Sequence, residues 1–297
     1  MKVIYTSDLH GDTYLYQRLL DLSGREKADV LIIGGDILPK KYEFMRLVKI
    51  QRNFIENELF PLFSSFRAEN PEAQIYLMMG NDDFAINMDL LEEMDEGGII
   101  KLIHNRVHHL YDEFFVAGYG CVPLTIFSLK DWERFDDKEQ QVADGSFGAY
   151  ISTDEGLMRI DVEKWGRARP TVEEDLRELV SRSDPQRTIY VMHAPPYGTS
   201  LDKLYNGYPA GSRAIRRFIL DHQPYLTLHG HIHESPRVSG RYTDTIGSTI
   251  SVNPGQGVNF HAAIFELSDP RRTMWHTIFD KNVSTTSRIV KKDPNPR

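Results

Sequence analysis

Near the start of the chain, Asp8-Leu9-His10 puts a carboxylate and an imidazole two residues apart. Later stretches carry the same chemistry: Gly35-Asp36, Gly80-Asn81-Asp82-Asp83, His193 in VMHAPP, and His229-Gly230-His231-Ile232-His233. Each stands at the end of a short apolar run: KVIYTS (2–7), ADVLIIGGD (28–36), QIYLMMG (74–80), TIYVMHA (188–194) and YLTLHGH (225–231). Oxygen and imidazole ligands together suit borderline divalent ions such as Mn, Fe, Co, Ni or Zn. Taken singly, GGD and GND are turn sequences, and His-x-His pairs occur on ordinary surfaces. As an ordered set they point to a metal centre, because unrelated turns have no reason to collect four His, two Asp and an Asn at strand ends. In an extended segment His231 and His233 point the same way, but so does His229, and spacing leaves the three level.

The elements that must position these residues follow from the patterning. Apolar runs closed by glycine read as strands buried on both faces. Helical spacing predicts helices over 14–25, 42–69 (broken at Pro61), 84–95, 171–182 (capped by Thr171) and 212–222. Further strands are expected at 98–105, 112–120, 248–255, 262–267 and 273–280. In open α/β sheets, ligands bind beyond the carboxyl ends of the strands, where these polar residues fall. β-α units first and mostly strands last predict a layered α/β sandwich with mixed sheets. Residues 1–280 read as one domain. The charged stretch 124–169 is either an insertion lidding the site or a surface excursion, with the surface reading favoured. The polar tail 281–297 is expected to be loosely ordered.

With 297 residues, 40% of them hydrophobic, the chain can bury a sizeable core. The net charge of −8 argues against long polyanionic partners such as nucleic acid. A single cysteine, Cys121, precludes an intramolecular disulfide and suits a reducing compartment. The N-terminal segment lacks the pattern of a signal peptide, and no apolar run reaches the ~20 residues that span a bilayer. A soluble, cytoplasmic protein is expected, with its oligomeric state open.

The ordered set D-x-H, G-D, G-N, H and G-H-x-H resembles the calcineurin-like metallophosphoesterase superfamily, from residue 3 to about 267. The resemblance implies an αββα four-layer sandwich with mixed β-sheets holding two divalent metal ions. By position, Asp8, His10 and His233 would hold one ion, Asn81, His193 and His231 the other, and Asp36 would bridge them. It implies hydrolysis of a small phosphoester or nucleotide by water activated between two metals. The second motif reads GGDILPK, unlike the G-D-x-x-D-R-G of the superfamily's protein serine/threonine phosphatases. The competing reading is a catalytically weak or inactive binding scaffold on the same fold.

One departure matters. The superfamily most often places histidine where this chain has Asp82, with the next acid, here Asp83, orienting it. These two are the candidate catalytic residues. An aspartate beside two cations is expected to stay ionised, so Asp82 is a poor proton donor. The missing positive group disfavours a dianionic monoester more than a monoanionic diester, so phosphodiester hydrolysis is expected. The plainer alternative is that Asp82 caps the following helix. Tyr197 and Thr199, directly after His193, are candidates to line the substrate pocket, and Asn81 to touch phosphate. Asp12 is expected to cap the first helix, Asn253 to serve a turn, and Arg213, Arg216 and Arg217 to be a solvated face. His104, His108 and His109 fall outside the pattern.

Overall fold

A computed structural model describes residues 1–41, 43–142 and 148–280. The tail expected at 281–297 therefore lies outside the described residues. The five runs that precede the site residues form strands at Lys2–Thr6, Val30–Gly34, Gln74–Met78, Thr188–Met192 and Leu226–Leu228. Two six-stranded mixed sheets result. In the first, Trp275–His276, Ala263–Glu266, Lys2–Thr6, Val30–Gly34, Gln74–Met78 and Lys101–Leu102 lie side by side. In the second, the order is Thr243–Ile246, Thr249–Val252, Leu226–Leu228, Thr188–Met192, Phe114–Tyr119 and Val107–Tyr111. The strands that end in site residues run parallel within each sheet, so their carboxyl ends share an edge.

Alternation along the strands explains the layering. Val3, Tyr5, Val30 and Ile32 turn inward and pack against Ile189, Val191, Leu226 and Leu228 of the other sheet. The intervening Ile4, Leu31, Ile33 and Leu77 lie in the core under the helices Thr13–Glu26 and Phe60–Glu69. On the outer face of the second sheet, Tyr190 and Met192 lie in the core with residues of Val172–Val180 and Arg213–His222. The architecture is the αββα sandwich with mixed sheets.

The helix starts follow their caps. Asp12 Oδ1 accepts the Tyr14 and Leu15 amides at 3.0 and 3.3 Å. Thr171 and Glu174 form a reciprocal capping box, and Ser212 caps Arg213–His222. The long segment expected at 42–69 is divided: a helix at Leu47–Phe54, a π turn at Ile55–Leu59, and a helix at Phe60–Glu69. Pro61 has no N–H for the carbonyl of Asn57, and the widened turn absorbs the mismatch. The helix expected at 84–95 starts later, at Met88, after a 3-10 turn over Ala85–Asn87. The strand expected at 98–105 shrinks to Lys101–Leu102, and that at 273–280 to Trp275–His276. No helix among the described residues is long and apolar enough to cross a membrane.

The segment 124–169 is not a plain surface excursion. Two of its acids, Asp131 and Asp136, are spent on the fold. Asp131 accepts the Ala85 and Ser152 amides, both at 2.8 Å. Asp136 accepts the Arg213 amide at 2.7 Å and the Ser212 hydroxyl. These bonds hold the segment against the carboxyl-end edge, where it walls a cavity. Residues 143–147 within it lie outside the described residues.

Candidate metal centre

Asp8, His10, Asp36 and His233 each bring one donor atom to a common point, with these atoms all within 4.8 Å of one another. His10 Nε2 faces His233 Nε2 at 3.1 Å, and His233 Nε2 lies 3.1 Å from Asp8 Oδ1. Asp36 Oδ2 is 3.9 Å from His10 Nε2 on one side and 3.4 Å from His193 Nε2 on the other. A carboxylate between two imidazole groups can serve two cations at once. The His193 and His231 rings are 5.4 Å apart, completing the second side.

The fit to metal shows in what these donors lack. Asn81 Oδ1 is buried with no hydrogen-bond partner, and buried His193 Nε2 makes no hydrogen bond of normal geometry, its nearest acid being Asp36 Oδ2 at 3.4 Å. Burial normally exacts a partner for such atoms. His193 Nδ1 is tied to the Gly34 carbonyl at 2.7 Å, which fixes the tautomer and aims the other nitrogen at Asp36. Close approach needs glycine: a Cβ at Gly80 would stand 2.4 Å from Asp36 Oδ1 and 2.8 Å from His193 Nε2. The donors, imidazole nitrogens with carboxylate and amide oxygens, suit the borderline divalent ions.

Backbone strain concentrates here. Asp8, His10, Asp36 and His231 have φ of 59°, 46°, 52° and 64°, a region non-glycine residues rarely enter. The chain turns sharply at each strand end and presents its side chain to the edge. His231 therefore does not lie in an extended segment, and the alternation expected for 229, 231 and 233 does not apply. His229 is used by the core: Nδ1 meets the Met192 and Ala194 carbonyls, and Nε2 meets Thr227 Oγ1 at 2.9 Å.

Charge in the cluster is divided between neutral and cationic imidazoles. Burial pushes His10 and His231 down to about 3. Burial also opposes a charge on His193, but the Asp36 and Asp8 carboxylates outweigh it and raise His193 to about 9. Without metal, the His193 imidazolium is the counterion of both acids. An imidazolium favoured by folding stabilises fully below its unfolded value of 6.5, and the contribution is lost as pH rises through about 9. The metal-free protein is thus expected to lose about 3 kcal/mol between those limits. Urea midpoints at pH 6.5 and 9 check this; a flat or rising midpoint contradicts it.

A calcineurin-like phosphoesterase family model matches residues 1–235, most of the chain. The chain belongs to the calcineurin-like phosphoesterase family. That family hydrolyses phosphoric esters and uses divalent metals. No curated protein matches the chain in sequence. One solved structure is 21% identical, covering 93% of this chain and 97% of its own, with a TM-score of 0.58. TT1561 of Thermus thermophilus is 16% identical over the same shares, with a TM-score of 0.57. A dimetal phosphatase from Danio rerio is 11% identical, over 89% of this chain and 91% of its own, with a TM-score of 0.49. At such identities the likeness shows the fold alone.

In this calcineurin-like phosphoesterase the cluster floors a cavity of about 880 Å³. Asp36, Asn81, Asp82, His231 and His233 line it together with Ile126, Phe127, Tyr197, Leu204 and Pro209. Tyr197 lies under the Arg213 guanidinium, 4.3 Å from its ring centre, so Arg213 is not merely a solvated face. Thr199 is not brought to the cavity. Its hydroxyl donates to the Pro196 carbonyl at 2.9 Å, locking the turn instead. Asp83 also faces away, with its oxygens on the Ile37, Leu38 and Gly80 amides at 3.0, 2.8 and 2.8 Å. Asp82 caps no helix. Its carboxylate meets Lys40 Nζ at 2.9 Å, and its amide donates to Asp36 Oδ1 at 2.8 Å. Burial and the Asp36 charge push the Asp82 carboxyl up to about 6 against the pull of Lys40.

Two contributors escape a sequence reading, and a third, Asn253, does more than its expected turn, in which its Oδ1 accepts the Gly255 amide at 2.8 Å. Lys40 lines the cavity, and its only sequence signal is a basic pair four residues past Asp36. Ser7 donates to Asp8 Oδ2. Buried Asn253 donates to the Leu201, Gly230 and Ile232 carbonyls, bracing the loop that carries His231 and His233.

Proposed function

We propose that the chain is a two-metal phosphodiesterase. Asp8, His10 and His233 hold one divalent ion; Asn81, His193 and His231 hold the other; Asp36 serves both. The ions are drawn from Mn, Fe, Co, Ni and Zn, which this donor set suits. The observation that carries this reading is the set of donor atoms gathered about Asp36, with His10, His233 and Asp8 on one side and His193 on the other, beside a buried Asn81 Oδ1 that has no hydrogen-bond partner. When bound, the two ions supply a water of lowered pKa and charge stabilisation for the phosphoryl oxygens.

The chain's own groups do the rest. Asn81 and His231 line the cavity beside Asp36 and orient the phosphoryl group. Two divalent ions beside Asp82, added to Lys40, would hold its carboxyl ionised against the burial that raises it, so solvent would protonate the leaving oxygen. Esters with acidic leaving groups are therefore favoured. A positive group is not missing near position 82, because Lys40 stands there; the lean to diesters rests instead on the cavity. The apolar side chains Ile126, Phe127 and Leu204 in its lining would accommodate a second ester substituent. Asp137, Glu139 and Glu234 on the same cavity disfavour polyanions, which leaves small phosphoesters or nucleotides rather than nucleic acid. The reading treats 1–280 as one catalytic domain with 124–169 inserted, working in a reducing, cytoplasmic setting.

The test uses metal-free protein reloaded with Mn. Bis(p-nitrophenyl) phosphate is expected to turn over faster than p-nitrophenyl phosphate, with no turnover of either before reloading. A faster monoester would overturn the diester assignment. Bound metal with no turnover of any ester would favour the binding scaffold.

A further inference from the structure

We propose that Lys40 is a phosphate-binding residue of this centre, held in place by Asp82, and that it sets how strongly the site prefers a doubly charged phosphate over a singly charged one. The inference deepens the phosphoesterase reading and rests on it.

Among the described residues, two cationic side chains line the cavity, Lys40 and Arg213. The Arg213 guanidinium is taken up by the Tyr197 ring, which it covers at 4.3 Å. Lys40 lines the same cavity as Asp36, Asn81, His231 and His233, and its partner Asp82 is itself bonded through its amide to Asp36. Its ammonium gives one donor to Asp82 Oδ2 at 2.9 Å. An ammonium carries three N–H donors, so two remain for a ligand.

The placement is built rather than incidental. Fully buried Gln51 donates to the Pro39 carbonyl at 3.0 Å and to the Asp82 carbonyl at 2.8 Å, and accepts the Phe84 amide at 2.8 Å. Fully buried Asp83 takes the amides of Ile37, Leu38 and Gly80. Two buried side chains thus staple the loop that ends in Lys40 to the loop that carries Asp82. An ordinary surface ion pair has no such scaffolding and contributes little. Here the pair fixes a point charge beside the position a phosphoryl group must take to reach Asp36. Charge-assisted bonds from lysine to phosphate oxygens are about twice as strong as neutral ones, and they favour the more highly charged ligand.

The experiment measures inorganic phosphate and dimethyl phosphate binding to Mn-loaded protein by calorimetry, with metal content assayed in parallel. Wild type is compared with Lys40→Met, Lys40→Gln, Asp82→Asn and the Asp82→Asn/Lys40→Met double variant. Both lysine replacements are expected to weaken inorganic phosphate by about tenfold or more, and dimethyl phosphate by less, with metal content unchanged. The double variant should be as weak as Lys40→Met alone. Wild-type affinity in the lysine variants would overturn the proposal. So would recovery in the double variant, which would mean that Lys40 only neutralises Asp82. Metal loss in the lysine variants would overturn it too, by making Lys40 a support for the ligands. These outcomes are read from binding, so they stand apart from the ester assays: wild type that binds metal and phosphate but turns over neither ester would sink the enzyme assignment alone.

Discussion

Asp83→Ala is expected to destabilise the protein by about 4 kcal/mol, among the larger effects a single substitution produces. Asp83 is fully buried, and its two oxygens accept three backbone amides from two loops. Alanine would leave the Ile37, Leu38 and Gly80 N–H groups without partners, and each buried unsatisfied donor costs about 1–3 kcal/mol. Those amides belong to the turns that deliver Asp36 and Asn81, so loosening them would also unseat these two proposed metal ligands. Asp83→Asn, which keeps one carbonyl oxygen, should recover part of the loss. Urea midpoints of the three proteins check the order. A variant of wild-type stability that has lost turnover would instead place Asp83 in the reaction itself.

Asp36→Asn is expected to abolish metal-dependent hydrolysis, by about a thousandfold or more, while the protein still folds. The asparagine oxygen can still accept the Asp82 amide now bound by Oδ1. What disappears is the charge that lies between His10 and His193, 3.9 and 3.4 Å away. A neutral amide cannot bind two cations as a carboxylate does. The same change removes the largest attraction raising His193, so in the metal-free variant that imidazole should titrate closer to its ordinary value. Turnover assays and histidine NMR titrations read the two effects separately. A variant retaining wild-type turnover would remove Asp36 from the centre.

The sequence was most legible where chemistry is written locally. Parallel strands buried on both faces read as apolar runs, and Asp8, His10, Asp36, Asn81, His193, His231 and His233 each stand just past one. Those seven positions meet at one edge of the fold. The family motif, rather than spacing, separated His231 and His233 from His229. The separation has a physical cause invisible in the letters: the turn at His231 takes a left-handed backbone, which breaks the alternation of an extended chain. The positive group beside Asp82 was illegible for a related reason. That group, Lys40, is 42 residues away in sequence, and no local pattern announces an ion pair at that separation. Asp83 and Gln51 staple loops over similar separations and were equally silent. In 124–169 the acids looked like solvated charge because nothing in their neighbourhood showed the amides of Ala85 and Arg213 waiting for them. Thr199 follows His193 closely, but the turn between them spends its hydroxyl.

The central claim is a pair of divalent ions, shared through Asp36, that hydrolyses a phosphoester. The measurement that tests it most directly is a titration of metal-free protein with Mn, following bis(p-nitrophenyl) phosphate hydrolysis and bound metal together. The account predicts that turnover climbs until two equivalents are bound per chain and then levels, with the Asp36→Asn protein silent throughout. Turnover that is complete at one equivalent, or absent with two bound, would contradict it.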